Sequence, residues 1–140
     1  MCVMKKNQKL LLKRKLPKLK KLFASDPRVL AVFLFGSQAD GTATARSDID
    51  LAVLFDRELG LDEELTFEVA VCDTLGAYDD VDIMNLNRAP LTFRYRAVAG
   101  KLLYERDFVR VADFIEQTLV ERRDYAPRLT MRLHDAFVSF

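Results

Sequence analysis

Apolar runs along the chain predict the strands of a sheet. Residues 29–35 and 48–55 are almost continuously apolar, and the second run has polar side chains only at its start. Runs of this length are typical of strands buried on both faces. Residues 81–86 instead alternate between two sets of side chains, with Asp82 in the second set, which predicts a third strand. A fourth, short strand is expected at residues 101–105.

The first 25 residues combine a helical pattern with a strong positive charge. They hold nine of the 22 Lys and Arg residues and none of the 21 Asp and Glu residues. The apolar positions at helical spacing are Leu12, Leu16, Leu19 and Phe23. We expect an amphipathic helix that Pro17 either starts or interrupts. Three roles remain open for it: a helix docked by its leucines with lysines in water, a contact for an acidic partner or nucleic acid, and a membrane-surface helix.

Helical spacing returns between and after the later strands. Residues 61–75 predict a helix that Gly76 ends. Its apolar positions are Leu61, Leu65, Phe67, Val69, Cys72 and Leu75. A short helix is expected within residues 89–100, and one or two helices from Asp107 to the end of the chain. The alternation of helices and strands predicts an α/β (α+β) fold with a small mixed β-sheet flanked by helices.

Length and cysteine content predict a single domain whose cysteines are reduced. A chain of 140 residues that is 50% hydrophobic suits a single core. We therefore expect one domain over residues 1–140, with the basic helical segment 1–25 at one end and helices in 107–140 at the other. Cys2 and Cys72 form no CxxC pair, and the sequence shows no secretory h-region and no apolar stretch of about 18 residues. These features predict a cytoplasmic protein.

The stretch between the first two strands suits a phosphorylated ligand and a cation. Gly36 and Ser37 directly follow the first strand. Glycine lets backbone amides approach an anion, and the serine adds a hydroxyl donor. Asp48 and Asp50 are two residues apart on a strand, so their side chains leave on the same face. Such a pair repels itself unless it is protonated or binds a cation, and all-oxygen ligands favour Mg²⁺ or Mn²⁺ over Zn²⁺.

Asp82 supplies a third carboxylate if its strand pairs beside the strand of Asp48 and Asp50. Three carboxylates on one rim would hold two divalent ions and assist phosphoryl transfer. The alternative is a pair at a strand start that merely faces water, but aspartate is a poor strand former without a ligand. His134, the only histidine, is expected to be structural or exposed. The cluster at residues 93–96 (FRYR) is expected to serve helix packing rather than adenine stacking.

These residues resemble a known signature. Gly36-Ser37, ten residues, and then Asp48-Ile49-Asp50 are similar to the GS-x10-DxD motif of the DNA polymerase β-like nucleotidyltransferase superfamily, and VDIMNLN resembles its third-aspartate strand. The small size and the run RSDIDLAVLF resemble the minimal nucleotidyltransferases (MNT domains), such as the MntA-type antitoxins of HEPN/MNT toxin–antitoxin pairs. The resemblance spans residues 29 to 107. The lysine-rich start and the C-terminal tail match no motif.

The resemblance implies a polymerase β-like nucleotidyltransferase fold and a set of roles. Asp48 and Asp50 would be metal ligands for Mg²⁺ or Mn²⁺, with ATP as the nucleotide donor. Asp82 would be the third metal ligand and the general base for an acceptor hydroxyl. The residues that would contact the triphosphate are Gly36 and Ser37, as its cradle, with Arg46 and Ser47 beside them.

The acceptor stays open at the level of sequence. The antitoxin branch of the resemblance implies AMP transfer to a tyrosine of a HEPN-domain ribonuclease toxin, with which the chain would form a hetero-oligomeric complex. A second branch adenylates small hydroxylated molecules such as aminoglycosides, with an extra helical domain that this chain lacks. A third possibility is a non-catalytic antitoxin that acts by occupancy. No membrane partner is expected, nor is direct nucleic-acid binding.

Overall fold

Helices alternate with strands through the part of the chain that this computed structural model describes, residues 2–35, 49–79 and 81–125. In chain order the elements are α1 (Cys2–Ser25), β1 (Val29–Phe35), β2 (Ile49–Phe55), α2 (Leu61–Leu75), β3 (Val81–Asn85), α3 (Leu91–Val98), β4 (Lys101–Glu105) and α4 (Phe108–Tyr125). The four predicted strands and the helices between them are confirmed. Residues 126–140, which include His134, lie outside the description, as does Asp48 at the predicted start of the second strand.

The strands form one mixed sheet in the order β3-β2-β1-β4. β1 is antiparallel to both β2 and β4, whereas β2 and β3 are parallel. Parallel neighbours require a crossover connection, and α2 supplies it by leading from the end of β2 to the start of β3. The starts of β2 and β3 therefore lie side by side at one edge of the sheet.

The two faces of the sheet carry separate cores. On one face, α1 and α2 cover odd-numbered positions of β2 such as Ile49 and Leu51. On the other face, α3 and α4 contribute Ala97 and Val111 to a core with Ala52 of β2. This division confirms that successive side chains of β2 alternate between two buried layers.

Helix α1 is docked by its apolar side. Leu12, Leu19 and Phe23 are buried, while Lys13 and Lys20 are exposed. This arrangement matches the first of the three roles considered for the segment. The prediction that Pro17 starts or interrupts the helix is wrong, because α1 runs through it from Cys2 to Ser25. Leucines on both sides of the proline pack into the same core, and that packing outweighs a proline cost of about 3 kcal/mol.

Helix α2 has the predicted ends, and only some of its apolar residues are buried. Gly76 ends it in the left-handed conformation, with φ of 72° and its N–H donating to the carbonyl of Cys72 at 2.8 Å. Leu61, Leu65 and Val69, three of the apolar positions that predicted this helix, are exposed. The buried positions are Glu64, Phe67, Val71 and Leu75. Spacings of three and four residues place these four on one line of the helix, next to the line that carries the exposed three.

Within the described segments, no helix has the length and apolar content needed to cross a membrane.

Candidate active site

Two of the predicted carboxylates meet at the starts of β2 and β3. The parallel register places Asp50 directly opposite Asp82. Two residues further along each strand, Ala52 and Met84 both belong to the core under α3 and α4. Because faces alternate with a period of two, the Asp50 and Asp82 side chains leave the sheet on this same face. Their strands are about 4.8 Å apart, as in any sheet, so the two carboxylates are neighbours.

The two carboxylates differ in exposure. Asp50 is buried, with 7% of its surface accessible, whereas Asp82 is exposed. Strand β2 lies between β1 and β3, and β3 is the edge strand of the described sheet. An inner carboxylate is held by the protein, and an outer carboxylate is within reach of a second molecule. The pair therefore offers one fixed and one accessible oxygen ligand.

The end of β1 lies beside the same carboxylates. Phe35, the last residue of β1, pairs with Asp50, and Gly36 follows it in sequence. The turn between α3 and β4 packs closely against the end of β1. A Cβ added at Gly100 would stand 2.2 Å from the carbonyl oxygen of Leu34, so only glycine fits there.

Five of the predicted site residues fall outside the description. They are Gly36, Ser37, Arg46, Ser47 and Asp48. Their proposed roles therefore stay predictions from sequence. The described part of the predicted site consists of Asp50 and Asp82.

Glu68 extends the negative charge towards α2. Burial raises the pKa of the Glu68 carboxyl, and the negative charges of Glu64 and Asp82 raise it further. Glu68 lines the same cavity as Ile83, the residue that follows Asp82, so this charge lies near the start of β3. Glu68 belongs to none of the motifs in the sequence and was missed from it.

The donor set fits a hard divalent cation. Asp50 and Asp82 provide carboxylate oxygens, the ligands that Mg²⁺ and Mn²⁺ prefer. Among the described residues, no cluster of three His, Cys, Asp or Glu side chains that could hold a metal is present. The third carboxylate of the predicted site, Asp48, lies outside the described residues.

A buried polar cluster holds the far end of β3 and was missed from sequence. Glu64 of α2 is buried and accepts hydrogen bonds from the side chains of Asn85 and Arg88. Asn87 continues the strand pairing with its side chain, which accepts from the N–H of Phe55 at 2.8 Å and donates to its carbonyl at 2.9 Å. A signal was available, because Glu64 is in phase with the buried apolar positions of α2.

A cavity of about 320 Å³ lies next to this cluster, between α2, β3 and the start of α3. Its walls combine aromatic and charged side chains. The lining residues are Phe55, Glu64, Phe67, Glu68, Ile83, Met84, Asn85, Arg88, Ala89, Pro90 and Phe93.

Two residues of the FRYR cluster of α3, Arg94 and Tyr95, pack against α4, as the packing interpretation predicts. The Arg94 guanidinium forms an ion pair with Glu121 of α4, with an N–O distance of 3.1 Å. The Arg122 guanidinium carbon lies 4.8 Å from the ring centroid of Tyr95, a cation–π contact between the same two helices.

A small mixed sheet with paired aspartates on adjacent parallel strands is typical of nucleotidyl-transfer domains. The chain belongs to the family described as "Polymerase beta, Nucleotidyltransferase", whose sequence model matches residues 17–109. The predicted family and fold are confirmed.

Three similar proteins indicate which kind of nucleotidyltransferase the chain resembles. The protein adenylyltransferase MntA of Aphanizomenon flos-aquae (strain 2012/KM1/D3) is 30% identical over an alignment of 113 residues, and the match covers 74% of this chain and 75% of that protein. A toxin–antitoxin crystal structure with AMP-PNP has 25% identity and a TM-score of 0.60, and the match covers 89% of this chain and 97% of the other. The structure of a tri-AMPylated Shewanella oneidensis HEPN toxin in complex with the MNT antitoxin matches with 22% identity and a TM-score of 0.63. This match covers 89% of this chain and 98% of the other, and it shows a likeness of fold.

Proposed function

We propose that this chain is a protein adenylyltransferase that acts as an antitoxin, transferring AMP from ATP to a tyrosine of a HEPN ribonuclease toxin. The direct pairing of Asp50 with Asp82 on one face carries the proposal. The 30% identity to a protein adenylyltransferase MntA supports the reaction, and the match at 25% identity to a toxin–antitoxin with AMP-PNP supports ATP as the donor.

The chemistry follows from the positions of the two aspartates. The tyrosine oxygen attacks the α-phosphorus of ATP, a new P–O bond forms, and the bond to the leaving pyrophosphate breaks. Asp82, exposed at the sheet edge, accepts the hydroxyl proton, while buried Asp50 keeps its carboxylate fixed beside it. A divalent cation, Mg²⁺ or Mn²⁺, bound by Asp48, Asp50 and Asp82 would neutralise charge on the triphosphate.

The remaining site residues would orient the donor. Gly36 and Ser37 hold the triphosphate through backbone amides and a hydroxyl, and Arg46 and Ser47 contact its phosphates. The pairing of Phe35 with Asp50 supports this assignment, because the chain leaves β1 beside the carboxylates.

Intact mass spectrometry tests the reaction. The full chain is incubated with ATP, Mg²⁺ and the HEPN-domain protein encoded beside it, with and without EDTA. We expect the partner to gain one or more units of AMP at tyrosine, and EDTA to prevent the gain. A partner that gains no mass, while the same preparation adenylates an aminoglycoside, would contradict the proposal in favour of a small-molecule enzyme.

A carboxylate substitution separates chemistry from folding. Asp82→Asn removes the proton acceptor and should lower AMP transfer by about 10²-fold or more, with an unchanged melting temperature because the side chain is exposed. Asp79→Asn is the matched control, since Asp79 is also exposed and precedes β3. Wild-type transfer rates in the Asp82 variant would rule out its catalytic role.

A further inference from the structure

Three apolar side chains stand exposed in a line along α2. Leu61, Leu65 and Val69 are 67%, 49% and 53% exposed, and their spacing of four residues places them on one side of the helix. We call these three residues the α2 stripe. Exposed leucines that are scattered singly are ordinary, but a line with helical spacing is the pattern that contacts another helix.

Carboxylates border the α2 stripe on both sides. At 100° per residue, Asp62 and Asp73 fall on one side of the line and Glu68 on the other. Helix α2 carries five acidic residues in all and no Lys or Arg. Two of the five, Glu63 and Glu64, already contact arginines of this chain. The α2 stripe is therefore an apolar line between negative borders.

This charge pattern excludes a second copy of the chain as the occupant. Two α2 helices packed face to face would bring like charges together, which is unfavourable. Helix α1 has the opposite charge, but Leu12, Leu19 and Phe23 are buried in its own core, and within residues 10–25 Leu10 is the one large apolar side chain that is exposed, too few for a complementary line. The complementary surface is a helix of a different protein, with an apolar line bordered by Lys and Arg.

The α2 stripe runs along its helix towards the end of the sheet that carries Asp50 and Asp82. Helix α2 runs from the end of β2 to the start of β3, where Asp82 lies. Glu68, on the border of the stripe, lines the same cavity as Ile83, the residue that follows Asp82. A helix lying along the stripe would thus lie beside the exposed member of the aspartate pair.

We propose that the α2 stripe is the docking face for a basic amphipathic helix of the protein that accepts AMP, and that docking brings the acceptor to Asp82. The proposal rests on the proposed function in that the docked protein is the substrate of the transfer. Apolar contact along the stripe supplies affinity, and the acidic borders set the partner's charge and orientation.

Neutral substitutions test the apolar contact. Leu65→Gln with Val69→Gln removes two stripe residues without adding charge, and glutamine is a good helix former, so folding should be unaffected. The control is Val109→Gln, because Val109 is 65% exposed on α4, away from the stripe. The probe is the neighbouring HEPN-domain protein. We expect its Kd to rise at least tenfold for the stripe variant and its KM for AMP transfer to rise more than kcat falls, with no change for the control.

Charge reversal tests the chemistry of the partner helix. Asp62→Lys with Asp73→Lys leaves the three apolar residues in place and should also weaken binding, most strongly at low salt. Unchanged affinity in the glutamine variant, or in the charge reversal, would overturn the docking proposal. If the wild-type chain itself transfers no AMP to the probe but still binds it through the stripe, the proposed function fails and the docking face stands.

Discussion

At the scale of single residues, Asp50 shows what the site demands of the sequence. A buried carboxylate in the middle of a sheet opposes both strand propensity and desolvation. Its neighbours Ile49 and Leu51 are ordinary core residues on the other face. Such costs concentrate at functional sites, so the position of Asp50 supports the proposed role of this carboxylate.

Gly100 fixes the approach of the α3–β4 turn to β1. Gly100→Ala would place a Cβ 2.2 Å from the Leu34 carbonyl oxygen, and a backbone atom cannot move aside easily. We expect a loss of about 1–3 kcal/mol in the free energy of unfolding, measured by urea denaturation. Gly60→Ser is the control, since the nearest atom to its added Cβ lies at 3.7 Å and serine is a favoured N-cap. Equal stability of Gly100→Ala and wild type would contradict this account.

Glu68 should make the stability of the protein depend on pH. Its folded pKa is raised, chiefly by burial, so ionisation costs the folded state more than the unfolded state. Glu68→Gln should therefore melt at a higher temperature than wild type at neutral pH. The difference should shrink as the pH falls through the raised pKa and vanish below the unfolded value, over a scan from about pH 7.5 to pH 4. A difference that is constant across the scan would exclude the charge as its cause.

At the scale of elements, one arginine joins the end of α1 to the sheet. The Arg106 guanidinium donates to the carbonyls of Ala24 at 2.6 Å, Asp26 at 3.2 Å and Val29 at 3.1 Å. It thereby satisfies carbonyl groups that a helix C-terminus leaves unpaired.

Removing this cap should loosen α1. We expect Arg106→Met to lower the free energy of unfolding by about 1–2 kcal/mol, since hydrogen bonds from a charged donor are lost while the aliphatic stem is kept. Urea denaturation measures the loss. Arg123→Met, at an exposed position of α4, should stay close to wild type. If both variants lose the same free energy, the contacts of Arg106 are not the reason.

The elements were predictable from sequence where burial imposes a simple period. β1 and β2 are long apolar runs, and β3 alternates, so their bounds agree with the pattern to within a residue. The buried face of α2 was not predictable in the same way. Its apolar residues occupy two adjacent lines, and only packing against the sheet decides which line is covered. The prediction for Pro17 was wrong for a similar reason, because tertiary contacts on both sides of the proline hold α1 together.

The candidate site also has a part that was predictable from sequence and a part that was not. Asp50 and Asp82 were predictable because strand alternation fixes their faces once the strands are paired. The Glu64, Asn85 and Arg88 cluster joins residues of α2 to residues more than a helix length away in sequence. No local pattern encodes such partners.

At the scale of the whole molecule, charge is separated along the chain. The basic residues of 1–25 contrast with an acidic remainder, and the match to the family begins only at residue 17. The part of α1 before residue 17 lies outside that match. It is nevertheless part of the fold, because Leu12 is buried. Deleting residues 1–15 would remove packing together with charge.

Neutralising exposed lysines tests the charge alone. Lys13→Gln, Lys18→Gln and Lys20→Gln together should slow AMP transfer to the HEPN-domain partner at low salt if α1 steers an acidic surface of that partner. The rates of variant and wild type should converge above about 0.5 M salt, where charges more than a few ångströms apart are screened. Lys101→Gln, on exposed β4, is the control. A slowing that persists at high salt would rule out steering.

The register between β2 and β3 also limits how related sequences can vary in length. One residue inserted within Ile49–Phe55 or within Val81–Asn85 would move the side chains that follow it to the opposite face. It would also disturb the register that pairs Asp50 with Asp82. The loops at either end of α2 are under no such restriction, because they can lengthen without shifting the pairing of the strands or the buried line of α2. Insertions and deletions among descendants of this protein should therefore accumulate between the strands, while the strands keep a constant length over evolutionary time.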